Sequence, residues 1–226
     1  MILLKIFLKC LFIISMLISE EVKFFNQDNE SFADVTIRNN LTFTCRVSGL
    51  ENTGETVILL HGFPSTSHMW HELIDFLSNE NYRVIAPNQR GYSQGARPSE
   101  ISEYHIDNLV QDVLDIADAM DADKFHLIGH DWGSVVGWAV TATNKDRILT
   151  WTALSVPLLD AFGDAIVNDE TQEEKSYYID IFRMKFIPEL YFKFLNYRNL
   201  KNIWSSSSDM QIEKYMNVFG QRKAIT

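Results

Sequence analysis

A decapeptide near the middle of the chain, FHLIGHDWGS at residues 125–134, has the composition of a segment that presents a nucleophile. An apolar run of strand length ends in a turn bracketed by Gly129 and Gly133, and a second apolar run of helical length follows. The central residue of the turn is Asp131. The flanking glycines suit such a turn, because side chains there would collide with the adjoining strand and helix. The segment therefore predicts a strand–nucleophile–helix turn with an aspartate nucleophile.

A carboxylate nucleophile restricts the chemistry that this turn can carry out. Attack by Asp131 on the sp³ carbon of an epoxide gives an alkyl ester, which water can cleave. A serine in its place would leave an ether, which resists hydrolysis. Attack on an ester would give an anhydride, so an ester hydrolase is the least favoured interpretation. The residue type favours two-step hydrolysis of a small apolar epoxide or a similar electrophile.

Three motifs in order along the chain resemble the epoxide hydrolase branch of the α/β-hydrolase superfamily. They are HGFP at residues 61–64, the loop NQRGYSQGARP at residues 88–98, and GHDWG at residues 129–133. The resemblance extends from about residue 56 to the C-terminus. It implies an α/β-hydrolase fold of class α/β, with a mostly parallel, doubly wound sheet and a helical cap, and a domain of the AB hydrolase-1 type.

The resemblance also implies roles for individual residues. The motif residues His61, Gly62, Pro64, Gly129 and Gly133 shape the two turns. Backbone N–H groups of Phe63 and Trp132 are expected to form the oxyanion hole for ester hydrolysis.

A cap tyrosine is expected to hydrogen-bond and protonate the epoxide oxygen. Tyr178 matches this position best, with Tyr177 as the fallback. The alternative, that Tyr178 is only an aromatic residue of the cap core, stays open.

Two other functions remain open at this point. In haloalkane dehalogenases of the same superfamily, the tryptophan after the nucleophile binds the departing halide, and Trp132 occupies that position. Phe63 favours epoxides, because many dehalogenases carry asparagine there, although some do not. The third candidate is a non-catalytic binding module with this fold.

Strands and helices alternate in the part of the chain that must position these residues. Apolar patterns predict a β-hairpin at residues 32–37 and 41–47. They predict four further strands at residues 56–60, 82–86, 125–128 and 148–154. Helices are predicted at residues 70–77, 103–120 and 135–143. Such alternation predicts a parallel sheet with helices on both faces. We expect three regions: residues 1–20 as a leader, 21–156 as the hydrolase core, and 157–226 as an incomplete helical cap.

The catalytic set of the superfamily is incomplete in this chain. Its members carry an acid and then a histidine after the nucleophile. All six histidines of this sequence precede Asp131, and the chain ends at Thr226 inside the predicted cap. His68 and His71 are expected on a surface helix instead. We therefore expect a fragment that can form the ester but lacks the base for its turnover.

Composition excludes several partners. The net charge of −10 argues against nucleic acid and anionic membrane surfaces. The two cysteines, Cys10 and Cys45, make no disulfide framework. The sequence has no metal-ligand cluster and no phosphate-cradling glycine loop, so we expect no metal and no organic cofactor.

The first residues have the pattern of a targeting segment. Lys5 and Lys9 are the only charged residues among the first 18, and residues 10–18 form an apolar run. This predicts a signal peptide, or an uncleaved N-terminal anchor as the alternative and the only membrane contact. Glycosylation sequons at Asn29 and Asn40 follow closely. The expected location is the secretory pathway, with the product secreted or anchored to the membrane.

Overall fold

The computed structural model of the protein describes residues 21–184, 186–205 and 207–220, and the predicted leader lies outside these ranges. The strands are β1 (Glu21–Gln27), β2 (Glu30–Thr36), β3 (Thr42–Ser48), β4 (Thr56–Leu60), β5 (Arg83–Pro87), β6 (Phe125–His130) and β7 (Ile148–Leu154). The α-helices are α1 (His71–Asn79), α2 (Ile106–Ala119), α3 (Trp132–Thr143), α4 (Leu159–Asn168), α5 (Glu170–Arg183), α6 (Ile187–Ile203) and α7 (Asp209–Phe219).

The seven strands form one mixed sheet in the order β1-β2-β3-β5-β4-β6-β7. Strands β5, β4, β6 and β7 are parallel, whereas β1 is antiparallel to β2, β2 to β3, and β3 to β5. Every residue of the central strand β4 is buried, which explains its uninterrupted apolar sequence TVILL. Because β4, β5 and β6 are parallel neighbours, their carboxyl ends lie at one edge of the sheet. The HGFP turn, the loop after β5 and Asp131 follow these three ends.

The N-terminal part of the sheet is a three-stranded antiparallel meander. The predicted hairpin is present as β2 and β3, and its turn places Asn39 and Asn40 at φ of 61° and 58°. The sequence patterns missed β1, which pairs with β2 across a turn at Asp28 and Asn29. Asparagine and aspartate tolerate this left-handed region better than other non-glycine residues.

Helices cover both faces of the sheet. On one face, α2 and α3 contribute side chains such as Ile116 and Val140 to the main core, which includes Ile58 and Leu127 of the strands. On the other face, Ile74 of α1 packs with Val57 and other strand residues. Helix α2 begins later than predicted, because residues 101–104 form a 3-10 turn and His105 has extended backbone angles.

The residues after β7 form helices α4 to α7, and their aromatic side chains make a third core. It consists of Phe192, Leu200, Trp204, Tyr215 and Phe219, with Phe63 and Tyr92 packed against it from below. Helix α7 starts at the predicted serine run, where Ser208 and Gln211 form a capping box. The division at residues 156 and 157 stays a prediction. Every helix in the described ranges is too short or too polar to cross a bilayer.

Candidate active site

Asp131 lies between the end of β6 and the start of α3 in an uncommon backbone conformation. Its φ is 53° and its ψ is −121°, a region that costs a non-glycine residue on the order of 1–3 kcal/mol. The conformation is held from several sides. The Asp131 carbonyl accepts hydrogen bonds from the N–H groups of Ser134 (2.8 Å) and Val135 (3.1 Å), and its own N–H donates to the Leu154 carbonyl (3.3 Å). The turn therefore projects the carboxylate from the sheet in one direction.

Three glycines allow close packing around Asp131, two of them between backbones and Gly62 against the Asp131 side chain. A Cβ at Gly129 would lie 2.4 Å from the Gly133 carbonyl oxygen, and a Cβ at Gly133 would lie 2.1 Å from the Leu60 carbonyl oxygen. A Cβ at Gly62 would lie 2.2 Å from Asp131 Oδ1. The two glycine-containing motifs, far apart in the sequence, thus make one compact unit at the carboxyl ends of β4 and β6.

The Asp131 carboxylate is oriented by a backbone donor from the HGFP turn. The N–H of Phe63 donates a hydrogen bond of 2.7 Å to Asp131 Oδ1. A hydrogen bond to a charged acceptor is stronger than one between neutral groups. The peptide bond between Phe63 and Pro64 is cis. Trp132, the other predicted oxyanion-hole residue, begins α3, so its N–H is one of the donors that a helix leaves without an intrahelical partner.

His61 supports this turn and is not poised as a base. It is fully buried, and burial lowers its pKa to about 4, so the ring is neutral at physiological pH. Its Nε2 accepts from the Gln89 N–H (3.1 Å), and its Nδ1 lies 3.1 Å from the Gly62 carbonyl oxygen, which is consistent with a proton on Nδ1. The Gln89 side-chain amide donates to the His61 carbonyl. No sequence motif indicates this function of Gln89.

Tyr92 of the loop after β5 packs against the same histidine. The two rings meet edge to face with centroids 4.5 Å apart. Burial, with a smaller contribution from the negative charge of Asp131, raises the pKa of Tyr92. The Tyr92 phenol therefore stays protonated, and Asp131 is close enough for its charge to affect it.

Tyr178 lies on α5 and is half exposed. Partial burial and, second, the negative charge of Asp131 raise its pKa, so the phenol stays protonated at neutral pH. Its ring packs on Phe182 (5.5 Å), which in turn contacts Phe63 (5.9 Å). Tyr177, the fallback residue, is more exposed, at 60%.

A cavity of about 500 Å³ lies between the core and the helices above it. Its wall is mostly apolar and aromatic and includes Phe63, Tyr92, Trp132, Phe182 and Phe192. Two of these residues are next to Asp131: the Phe63 N–H donates to its carboxylate, and Trp132 follows it in the sequence. The volume lies in the range of small-molecule sites.

Three of the other histidines lie in different surroundings. His130 precedes Asp131, and its Nδ1 is buried without a hydrogen-bond partner in the described part of the chain. His126 bonds Glu55 (2.8 Å) and Thr150 (2.7 Å), four residues earlier in β6 than His130. His105 is exposed beside Asp107.

The expected surface position of His68 is wrong. It is 5% exposed, because the 3-10 turn before α1 directs it inward, where its ring stacks on His71 and meets Tyr215 of α7. Its Nδ1 lies 3.7 Å from Glu30, and burial lowers its pKa to about 4. Among the described residues, no group of three His, Cys, Asp or Glu side chains is placed to hold a metal ion.

Comparisons with known proteins agree with this geometry. A model of the alpha/beta hydrolase fold family matches residues 55–187. Epoxide hydrolase 4 of Mus musculus is 30% identical over 182 residues, which cover 75% of this chain and 50% of that protein. Epoxide hydrolase A of Mycobacterium tuberculosis (strain ATCC 25618 / H37Rv) is 42% identical over 103 residues, covering 46% of this chain and 32% of that protein.

Solved structures show the same architecture. One of a group described as novel epoxide hydrolases from metagenomes of hot environments has a TM-score of 0.76 at 25% identity, covering 92% of this chain and 67% of that one. The chain spans about half the length of the mouse and human epoxide hydrolase 4 proteins that it matches. The predicted family is confirmed: the chain belongs to the alpha/beta hydrolase fold family, where it is similar to the epoxide hydrolase-like branch.

Proposed function

We propose that the chain carries the nucleophilic half of an epoxide hydrolase-like hydrolase, with Asp131 forming an alkyl ester with the substrate. The observation that supports this most strongly is the 2.7 Å hydrogen bond from the Phe63 N–H to Asp131 Oδ1. It orients a carboxylate at a strained turn and leaves Oδ2 for attack. The epoxide hydrolases to which the chain is similar add to this support.

In the first step Asp131 Oδ2 attacks an epoxide carbon. A carbon–oxygen bond forms, the epoxide carbon–oxygen bond breaks, and its electron pair goes to the leaving oxygen, which takes a proton. Tyr178 is the proposed donor, because its ring packs on Phe182, which contacts Phe63, and because its phenol is protonated. Water also reaches this half-exposed side chain and can return the proton to it.

In the second step water attacks the ester carbonyl. The N–H groups of Phe63 and Trp132 are proposed to hold the resulting oxyanion, because the first already donates to the carboxylate and the second begins α3. This step needs a base. His61 is buried, neutral and bonded to the Gln89 loop, so we expect the ester to accumulate in this chain.

The proposed substrates are small epoxides with apolar substituents, since the wall of the 500 Å³ cavity is largely aromatic. The second candidate is a haloalkane dehalogenase-like reaction. It is favoured by the Trp132 indole, which lines the cavity beside the nucleophile with 55% of its surface exposed. The leaving group distinguishes the two reactions. The oxygen released from an epoxide carbon stays attached to the substrate as an alkoxide, whereas a halide leaves as a free ion.

The test is to incubate residues 21–226 with styrene oxide and, separately, with 1-bromobutane, and to follow intact mass. We expect one epoxide adduct per chain, mapped by peptide fragmentation to Asp131, with little diol. Asp131→Asn should form none. Asp121→Asn is the matched control, because Asp121 is an exposed aspartate that also has a positive φ, of 56°. An alkyl adduct with bromide release and no epoxide adduct would favour the dehalogenase. A folded chain that forms neither would favour the non-catalytic module.

The cellular location is a separate proposal. We propose that the chain enters the secretory pathway, because the predicted leader is followed by two sequons whose asparagines, Asn29 and Asn40, are exposed at hairpin turns. Expression of the full chain in animal cells should give a product whose electrophoretic mobility increases after glycosidase treatment. Asn29→Asp and Asn40→Asp remove the acceptors while suiting the left-handed backbone. A product unaffected by the glycosidase would contradict the proposal.

A further inference from the structure

Trp204, a buried residue after α6, reaches from the cap to the turn that orients the nucleophile. Its indole Nε1–H donates a hydrogen bond of 3.0 Å to the Pro64 carbonyl, 140 positions earlier in the chain. The side chain is 4% exposed. We propose that Trp204 is a positioning residue that holds the Phe63 N–H on Asp131. This inference rests on the proposed function, because it concerns the same donor.

Several hydrogen bonds anchor the turn at residues 62–65, including one between Tyr215 of α7 and Ser65, and three of them bear on the position of the Phe63 N–H. One is internal, since the Ser65 N–H donates to the Gly62 carbonyl (2.9 Å). The second is the Phe63 N–H, which donates to Asp131 Oδ1 (2.7 Å). The third is the Pro64 carbonyl, which receives the Trp204 indole. The nucleophile and the cap therefore bind the same short turn, one through a donor and the other through an acceptor in the following residue.

The Phe63 ring is also enclosed by the cap. It meets Phe182, Phe192 and Phe219 edge to face, with centroids 5.9, 5.2 and 5.9 Å apart. Trp204 packs on Phe219 in turn, at 5.6 Å. Ring contacts of this kind limit where Phe63 lies but tolerate small rotations. The directional contacts from the cap are hydrogen bonds, one from Trp204 to the Pro64 carbonyl and one between Tyr215 and Ser65. The Trp204 bond restrains the Pro64–Ser65 peptide plane, two peptide units after the plane that carries the Phe63 N–H.

The test replaces Trp204 by phenylalanine, which keeps an aromatic ring and removes the N–H. At saturating styrene oxide, we expect the rate constant for ester formation at Asp131 to fall about tenfold, the effect of losing one modest hydrogen bond. The epoxide concentration for half-maximal rate should stay within twofold, because the cavity wall is intact. Hydrogen exchange at the Phe63 amide should become faster by a similar factor.

Trp138→Phe is the matched control. Trp138 also donates its indole N–H to a backbone carbonyl, that of Val156 (3.2 Å), and also packs on an aromatic ring, Trp151 (5.6 Å), but it lies on α3 and these partners belong to β7 and the segment after it, not to the HGFP turn. It should lower thermal stability about as much as Trp204→Phe and leave both readouts unchanged. Equal effects of the two substitutions on ester formation and on Phe63 exchange would overturn the proposal.

A second variant covers the case in which Trp204→Phe does not fold. Site-specific incorporation of benzothienylalanine at position 204 keeps the bicyclic shape and replaces the N–H by sulfur. The same loss in both readouts supports the proposal, and wild-type behaviour contradicts it. If the wild-type chain forms no adduct, the proposed function fails, whereas exchange at the Phe63 amide still decides whether Trp204 positions it.

Discussion

The elbow, which is the turn at residues 129–133 around Asp131, and the cap, which is helices α4 to α7, are held together by different kinds of contact. At the elbow, backbone approaches backbone through Gly129 and Gly133, and Gly62 of the HGFP turn lies against the Asp131 side chain, with no room for one added carbon at any of the three. In the cap, large rings such as Phe192 and Phe219 fill the space, and a few long-range hydrogen bonds fix its place on the core. The elbow therefore sets the geometry of Asp131, whereas the cap shapes the cavity and contacts the HGFP turn. Substitutions should be far less tolerated at the elbow than in the cap.

The largest expected effect contrasts a glycine of each region. Gly133→Ala places a Cβ 2.1 Å from the Leu60 carbonyl oxygen, so α3 or β4 must shift. We expect the free energy of unfolding to fall by about 3 kcal/mol or more, measured by urea denaturation followed by circular dichroism. Gly163→Ala in α4 of the cap is the control. A Cβ there meets nothing within 4 Å, and alanine should stabilise the helix by roughly 0.5–1 kcal/mol. A well-folded Gly133→Ala chain would remove the contrast.

The second prediction concerns pH and the buried support of the elbow. The pKa of His61 is about 4 in the folded chain and about 6.5 in an unfolded one. The unfolded state therefore binds more protons between these values, and stability should fall as pH is lowered through this window, by roughly 3 kcal/mol in all. His68, whose pKa is lowered in the same way, adds to the fall.

His61→Gln should flatten the dependence of unfolding free energy on pH, measured by urea denaturation between pH 7.5 and 4.5. His105→Gln, at an exposed position, should leave it unchanged. If both variants keep the wild-type slope, the fall in stability comes from other groups and the buried neutral His61 is not its cause.

The smallest effect belongs to an ionic contact between the cap and the N-terminal strands. Lys214 of α7 donates to Asp28 (3.2 Å) and Glu30 (3.4 Å) at the first hairpin. Ion pairs near the surface contribute little, so Lys214→Met should lower the free energy of unfolding by at most about 1 kcal/mol. The rate of ester formation at Asp131 should not change. A strong loss of that rate would mean that charge, rather than ring packing and the Trp204 bond, holds the cap in place.

The elbow was predictable from the sequence because its close backbone packing requires glycine at two fixed positions. Gly129 and Gly133 around Asp131 report a close backbone approach that tolerates no Cβ, and the spacing predicts the turn directly. The central strands were equally accessible, since β4 is apolar throughout and buried throughout. The roles of the site residues remain predictions, because geometry places the groups without showing the reaction.

The features that sequence patterns missed depend on partners distant in the chain. Strand β1 is mostly exposed, so its sequence EVKFFNQ lacks the apolar alternation of a half-buried strand. His68 shares a helical spacing with His71 but turns inward under Tyr215 of the cap. The Trp204 bond to Pro64 joins residues 140 positions apart. Local spacing carries no information about such contacts.

The central claim is that Asp131 is an oriented nucleophile, and the most direct test is the intact mass of the chain after exposure to styrene oxide. The proposal predicts one adduct per chain, located on Asp131, absent from Asp131→Asn and present in Asp121→Asn. A folded chain that stays unmodified, or an adduct that persists in Asp131→Asn, would contradict it.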